Sequence, residues 1–410
     1  MYDVTKIREK FGMFANNKQM QNHKLVYLDN AATTFKPYVV LDAIAEYYNE
    51  YCVNAHRGDY DLAHKVDVMY DEARQTVADF INCDKTELIF TSGTTNSLNL
   101  VAFGYGSKFL TSDDEVLLTQ AEHASNVLPW FKVSEMTGCS IGYIPLNEEG
   151  RLTIENVKKS ITEKTKVISI AHVTNVLGYI VPIKEICKIA HEKGIIVVVD
   201  GAQSVPHLKT DVKDLDCDFL AFSGHKMCGP TGIGVLYGRY SLLEKMDPLM
   251  SGGGMNARFD MCGNISLLLP PYKFEAGTQN IEGVLGLKKA IEFINDIGID
   301  NIHEHEMELH KYALEKLEKL DNVIIYNKNA DSGIITFNIK GVFAQDAATY
   351  LNSKGICVRS GQHCAKILMD FLNTHATLRA SFYLYTTKEE VDALVEACKT
   401  GGDFLDAYFA

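Results

Sequence analysis

Residues 195–203 read Ile-Ile-Val-Val-Val-Asp-Gly-Ala-Gln, and residues 219–226 read Phe-Leu-Ala-Phe-Ser-Gly-His-Lys. Each is an apolar run that stops at a glycine bend beside a charged residue, Asp200 in the first and Lys226 in the second. An unbroken run of β-branched or aromatic residues, bounded by turn residues, fits a strand buried on both faces. Residues 116–119 and 167–171 have the same character. Between 167–171 and 195–199, the segment 181–193 sets Ile183, Ile186, Ile189 and Ala190 at helical spacing. Strand, helix, strand in this order predicts βαβ units, an α/β class and a mostly parallel sheet covered on both faces. Ligands of such sheets gather at the carboxyl ends of the strands, so the polar residues after each run carry the functional signal.

The pattern changes from about residue 283. Helices are expected over 283–295, 301–320, 344–354 and 388–399, and strands over 323–326, 333–339 and 378–385. Thr387 with Glu390 has the spacing of a capping box for the last helix. This half reads as a smaller α+β domain.

The whole chain has 410 residues, enough at ~150 residues per domain for two or three domains with real cores. At 46% hydrophobic and 23% charged residues the composition is that of a globular protein. The 53 acidic against 40 basic side chains give a formal charge of −13, which argues against a phosphate-backbone binder. No apolar run approaches the ~20 residues of a membrane-spanning helix, and charges interrupt the first fourteen residues where a signal peptide would be apolar. Ten cysteines without a Cys-x-x-Cys pair read as reduced thiols in a cytoplasmic setting.

Four strand-end segments carry chemistry. Lys226 follows an apolar strand and precedes a glycine-rich bend and a second strand at 233–237. A surface lysine is the commoner reading of any one lysine; the functional reading is a Schiff-base amine kept partly desolvated. Because a strand and not a helix follows the glycines, dinucleotide and P-loop readings fail. Asp200 suits a carboxylate that keeps a pyridine nitrogen protonated, and Gln203 a donor to that ring's phenolate oxygen. Gly93-Thr94-Thr95 opens an apolar-periodic helix, so free N–H groups and hydroxyls converge on a phosphate cradle. His123 sits after the strand at 116–119, placed to stack on a ring and move protons. Each residue alone is more often a cap, a turn or a core residue. Together they specify pyridoxal 5′-phosphate.

The second half adds Val358-Arg359-Ser-Gly-Gln-His-Cys364, a polar glycine loop in which a thiol next to arginine and histidine suits a nucleophilic thiolate. Arg379 suits a bidentate clamp on a substrate carboxylate. The remaining nine cysteines read mostly as buried fillers. The run His303-Glu-His-Glu-Met-Glu-Leu-His310 is one residue too long for a His-Glu-x-x-His zinc helix, so no metal is expected and the run reads as a solvated helix face.

With these motifs in place, the chain resembles the cysteine desulfurases of the class V aminotransferase group, in their Suf-type (group II) branch. The likeness runs nearly end to end. It includes Tyr27-Leu-Asp-Asn-Ala-Ala-Thr-Thr34, Asn54-Ala-His-Arg-Gly58, Phe274-Glu-Ala-Gly-Thr-Gln-Asn280 and Arg359-Ser-Gly-Gln-His-Cys364. It implies fold type I: an N-terminal segment 1–24 packed beside the small domain, a large seven-stranded cofactor domain over 25–290, and a small domain over 291–410 carrying the Cys364 loop. It also implies roles. Lys226 binds the cofactor, Asp200 pairs with the pyridine nitrogen, and Gln203 with the phenolate oxygen. Thr95, Ser223 and His225 hold the phosphate beside Thr94, joined in a homodimer by the partner subunit's Thr278. His123 stacks on the ring; Asn175 and Arg379 hold the substrate carboxylate, with Arg359 nearby. Cys364 takes the sulfur of L-cysteine as a persulfide, for a Suf-system acceptor and iron–sulfur cluster assembly. Gln362, Asn96 and Ser92 depart from the family's usual residues, which bears on the acceptor and the dimer contacts. Selenocysteine lyase, an aminotransferase or kynureninase-like enzyme, and a sulfur carrier or scaffold without turnover are the competing readings.

Overall fold

The computed structural model describes residues 2–15, 18–56 and 58–400. Arg57 of the Asn54–Gly58 motif and the last ten residues of the expected small domain lie outside the described residues. Seven strands form the main sheet: β1 Leu88–Thr91, β2 Glu115–Thr119, β3 Ser140–Ile144, β4 Thr165–Ala171, β5 Ile196–Asp200, β6 Phe219–Ser223 and β7 Gly234–Gly238. Their spatial order is β1-β7-β6-β5-β4-β2-β3. Strands β2 to β6 pair in parallel. Only β7 runs against its neighbours β6 and β1. The reason is local: a glycine-rich bend joins β6 to β7, and so short a connection permits only an antiparallel return.

The strands are as dry as their composition requires. Val197, Val199, Leu220, Ala221 and Phe222 are fully buried, each larger side chain worth about 1.5–3 kcal/mol by removal from water. On the sheet lie α1 Asp61–Ile81, α2 Thr94–Val101 and α3 Ile183–His191. The last buries Ile183, Ile186, Cys187 and Ala190 on one stripe. Arg74 of α1 reaches under β1 and is itself buried. It donates to the Leu88 carbonyl at 2.7 Å and forms a two-pronged ion pair with buried Glu275 at 2.8 and 2.6 Å. Glu275 also accepts the Phe90 amide at 2.9 Å. We predict that Arg74→Ala, which strands a buried carboxylate, lowers unfolding free energy by about 3–5 kcal/mol. A urea titration should show the midpoint falling at constant slope.

After the main sheet come α4 Ile281–Ile297 and α5 Ile299–Leu317. They stand closer than their periodicity suggests: α4 runs two residues past each expected end, and α5 starts two residues early and stops three early. Gly298, at φ 89°, supplies the whole break. A second sheet joins β8 Val323–Ile325, β9 Ile334–Ile339, β10 Arg359–Gly361 and β11 Thr377–Ser381 in the order β8-β9-β11-β10, all antiparallel. Helices α6 Ala344–Ser353 and α7 Lys388–Lys399 accompany it, and Thr387 and Glu390 form the expected capping box on α7. Strand β11 stops at Ser381, four residues before the apolar pattern ends, because Ser381 is taken up by residues from the start of the chain. Its amide donates to the Leu28 carbonyl at 2.7 Å, and its hydroxyl and carbonyl accept from the Ala31 amide and the Asn30 side chain.

The histidine run on α5 is not a solvated face. Glu306 is fully buried with Oε1 2.8 Å from His207 Nδ1, and His310 is buried too. Ile302, Glu306, Leu309, His310, Ala313 and Leu317 share one helical stripe, so the two polar residues are carried inward by apolar neighbours. The N-terminal helix Val4–Arg8 docks by an Arg8–Glu390 ion pair at 3.0 Å, and Val26–Tyr27 pairs in parallel with Ile356–Cys357. Among the described residues no helix is long and apolar enough to cross a membrane.

Candidate active site

The carboxyl ends of the parallel strands open into one cavity of about 200 Å³, with β11 closing it from the second sheet. Thr94, Thr95, His123, Asn175, Asp200, Gln203, Ser223, His225, Lys226, Arg359 and Arg379 all line it. These are eleven of the thirteen residues singled out above; Cys364 and Thr278 line other clefts.

One end of the cavity is built for an anion. Gly93 before α2 has φ 147°, and a Cβ there would come 3.3 Å from the Ser223 hydroxyl, so glycine keeps the approach open. Thr94 donates its amide to Ser223 Oγ at 2.8 Å, and the two hydroxyls meet at 2.7 Å. Thr95 and Ser125 hydroxyls meet at 2.8 Å across the rim. The N-cap residue, Gly93, has no side chain with which to cap α2, so beyond the Thr94 amide the N–H groups at its positive end are left for a ligand.

In the middle, the last residue of β5, Asp200, is buried with one oxygen on the Ala202 amide at 2.9 Å. Burial pushes its carboxyl up, so its ionised form calls for a cation beside it. Gln203 gives one amide hydrogen to the Ala31 carbonyl at 2.7 Å and keeps Oε1 unpartnered in a buried setting. Lys226 ends a single 3₁₀ turn, Gly224–Lys226. Burial lowers its ammonium to about 8, which brings the neutral, nucleophilic amine within reach of neutral pH. His123 Nδ1 accepts the Ser125 amide at 3.1 Å, so the neutral ring carries its proton on Nε2. An acceptor for a ring nitrogen, a nucleophilic amine, a proton carrier and an anion cradle are the fittings that pyridoxal 5′-phosphate requires, and the residues present fit it.

The other end is positively charged. Arg379 and Arg359 stand directly opposite each other on β11 and β10. Like charges so paired repel, and an anion between them relieves the repulsion. Arg379 is held by the Asn175 carbonyl at 2.7 Å and by Asp29 at 3.5 Å, while its Nε has no partner. Burial lowers its guanidinium to about 10, a sign of how dry the pocket is. Asn175 spends one hydrogen on the His363 carbonyl at 2.8 Å and leaves Oδ1 unpartnered. Arg379→Ala is expected to raise KM for a carboxylate substrate roughly 10- to 100-fold, as loss of a charged hydrogen bond does. Cofactor affinity, titrated by absorbance, should change little. Equal losses of both would mark a structural arginine.

Cys364 sits just outside, exposed, on a cleft that shares Arg359 and His363 with the cavity. Both His363 and Cys364 are left-handed, at φ 51° and 57°, a costly pair for residues with side chains. Its carbonyl accepts the Ala124 amide at 2.7 Å, tying the loop to the turn that carries His123. Thr278 is not at its own chain's cavity. Its hydroxyl is 3.4 Å from Asn54 Nδ2, in a cleft beside Ser92 and Asn96.

The charge pattern has a consequence for acid stability. Burial and nearby Lys226 lower His123 from 6.5 to about 4; burial, Lys226 and Lys36 lower His225 to about 4; burial and Arg379 lower His363 to about 3. Below pH 6.5 the unfolded chain takes up protons that the folded chain refuses until about pH 4, so stability falls as pH falls through that window. Melting of the cofactor-free protein is expected to drop between pH 7 and 5, and bound phosphate to blunt the drop by offsetting the cavity cations.

Sequence reasoning missed Asp29, which steadies Arg379, and Ser125, which fixes the His123 tautomer. Asp29 lay within a quoted motif, but only the tertiary contact gives it a role.

This geometry on a mostly parallel α/β sheet defines a cofactor-dependent enzyme of the aminotransferase kind. The family model for class-V aminotransferases matches residues 26–394, and the chain belongs to that family. Within it the chain is similar to proteins named for one activity. A probable cysteine desulfurase of Halalkalibacterium halodurans is 48% identical, covering 96% of this chain and 97% of that one. A cysteine desulfurase of Haloferax volcanii is 43% identical over 91% of this chain and 88% of its own length. The crystal structure of the Escherichia coli cysteine desulfurase CsdA, in an S-sulfonic acid form, superimposes with a TM-score of 0.91 at 36% identity, over 98% of this chain and 99% of that one. A cysteine desulfurase from Thermococcus onnurineus NA1 gives a TM-score of 0.92 at 38% identity, over 98% of both chains.

Proposed function

We propose that the chain is a pyridoxal-phosphate-dependent cysteine desulfurase that converts L-cysteine to L-alanine and takes the sulfur onto Cys364 as a persulfide. The observation that carries this reading is the placement of Cys364. An exposed thiol adjoins a cavity that already combines Lys226, Asp200 and a pair of arginines, and its loop is fastened to the His123 turn.

When bound, the cofactor supplies an electron sink that weakens bonds at and next to the substrate α-carbon. Thr94, Thr95, Ser223 and His225 would hold its phosphate, Asp200 its ring nitrogen, and Gln203 its phenolate oxygen through the remaining amide hydrogen. Lys226 Nζ holds and returns the α-proton. Arg379 and Arg359 orient the substrate carboxylate, which aims the side-chain sulfur toward the loop. Cys364 Sγ attacks as thiolate: a sulfur–sulfur bond forms, the substrate Cβ–S bond breaks, and the carbon fragment regains a proton to leave as alanine. His123, with its Nε2 proton, lines the same cavity and is placed to pass a proton.

We also read the chain as a Suf-type enzyme that works as a cytoplasmic homodimer, delivers sulfur to an acceptor protein and feeds iron–sulfur cluster assembly. Two features support the dimer. Thr278, expected at a phosphate, lies away from its own chain's cavity. The hairpin Asn256–Phe259 and Ile265–Leu267 leaves Phe259, Met261 and Ile265 exposed, apolar side chains that a second copy would cover. The domain limits 1–24, 25–290 and 291–410 belong to the same reading. Steady-state assays with L-cysteine and L-selenocysteine, on wild type and Cys364→Ser, test the activity. Cysteine turnover that depends on Cys364 supports the desulfurase. Turnover only of selenocysteine, independent of Cys364, would make it a lyase, and turnover of neither a carrier.

A further inference from the structure

The carbonyl of His225, one peptide before Lys226, is unusually crowded with donors. Thr34 N approaches at 3.0 Å, and Thr33 Oγ1, Thr34 Oγ1 and Lys36 Nζ each at 3.1 Å. A carbonyl oxygen has two lone pairs, and most are satisfied by one or two donors. On the other side of Lys226, the Cys228 amide donates to the same Thr34 hydroxyl at 2.9 Å. The segment 33–36 therefore grips the chain just before and just after the cofactor lysine.

Lys36 is the costly member of this grip. Its ammonium also bonds the Thr34 carbonyl and lies 3.4 Å from Thr33 Oγ1, so among the described residues carbonyls and hydroxyls answer its charge in place of a carboxylate. Burial lowers it to about 8. A half-buried ammonium without a counter-charge is disfavoured unless it stabilises something that matters. What it holds is the turn carrying Lys226, through charge-assisted bonds roughly twice as strong as neutral ones. Nothing in the desulfurase mechanism above uses it.

We propose that Lys36 is a positioning residue for Lys226: together with Thr33 and Thr34 it locks the 225–226 peptide and so fixes where Lys226 Nζ meets the cofactor. This rests on the reading of Lys226 as the cofactor lysine. It is tested on cofactor-free protein, by adding pyridoxal 5′-phosphate and following the visible band of the lysine-bound cofactor, with melting curves in parallel. Lys36→Met is expected to form the band roughly 10- to 100-fold more slowly, the loss that an ångström of misplacement brings. Its melting should stay near that of wild type, and Lys36→Arg should recover most of the rate. In the steady state kcat should fall while KM for cysteine holds. Thr33→Val, which removes one neutral donor at a half-exposed site, should slow the band by a smaller factor and decides the matter if Lys36→Met does not fold. A wild-type rate in Lys36→Met or, failing that protein, in Thr33→Val would overturn the proposal, as would slowing fully explained by lower melting. A wild type that forms no lysine-bound band would instead overturn the cofactor reading itself.

Discussion

Lys226→Ala is expected to lose the visible absorbance of lysine-bound cofactor and to lower alanine release from L-cysteine by roughly 10³-fold or more, the range seen when a group central to covalent chemistry is removed. The argument is geometric. Lys226 is held on a single 3₁₀ turn at the end of β6, facing the Asp200 carboxylate that ends the neighbouring strand β5. Among the described residues no other lysine lines the cavity, so no second amine there can take over the covalent link or the α-proton. Cofactor affinity should fall less than turnover, because the cradle of Thr94, Thr95 and Ser223 remains. Absorbance after dialysis and an alanine assay measure the two effects separately. An unchanged spectrum would remove Lys226 from its role.

Cys364→Ser makes the complementary separation. The spectrum, the cofactor content and the response of the spectrum to L-cysteine should all match wild type, since Cys364 lies outside the cofactor cavity. Alanine release should fall by roughly 10³-fold, because a hydroxyl at that position is neither ionised near neutral pH nor a sulfur nucleophile. Most other cysteines cannot substitute for it. Cys83, Cys187, Cys217, Cys228 and Cys398 are buried, and burial raises each thiol well above its ordinary range. Cys52 and Cys262 are exposed, but neither lines the cavity or the cleft beside it.

Strands β2, β4, β5 and β6 were legible in the sequence because they are largely buried and written as apolar runs; the edge strand β3, half-exposed and reading Ser-Ile-Gly-Tyr-Ile, was not. The strand β7 was legible after the glycine-rich bend, but its antiparallel direction appears only in the structure. The strand-end residues were legible for a related reason: a charge at the end of a dry strand has few structural uses. What stayed hidden depends on contacts between distant parts of the chain. Glu306 and His310 looked solvated because charge outweighed the apolar stripe they share, and only the contact with His207 explains the buried carboxylate. Strand β11 ends early because Asn30 and Ala31, some 350 positions away, claim Ser381. The early motif around Asn30 was visible as a motif, but its neighbours Asp29 and Lys36 acquire roles only beside Arg379 and the Lys226 turn.

The central claim is that sulfur leaves L-cysteine by transfer to Cys364. Its most direct test is a single turnover of the cofactor-loaded protein with L-cysteine, without an acceptor, followed by intact-mass and peptide mass spectrometry. The predicted result is one alanine per active site, and one added sulfur atom on the peptide containing Cys364 that a reducing thiol removes. Alanine formed with no sulfur retained on Cys364, or with sulfur on another cysteine, would contradict the account.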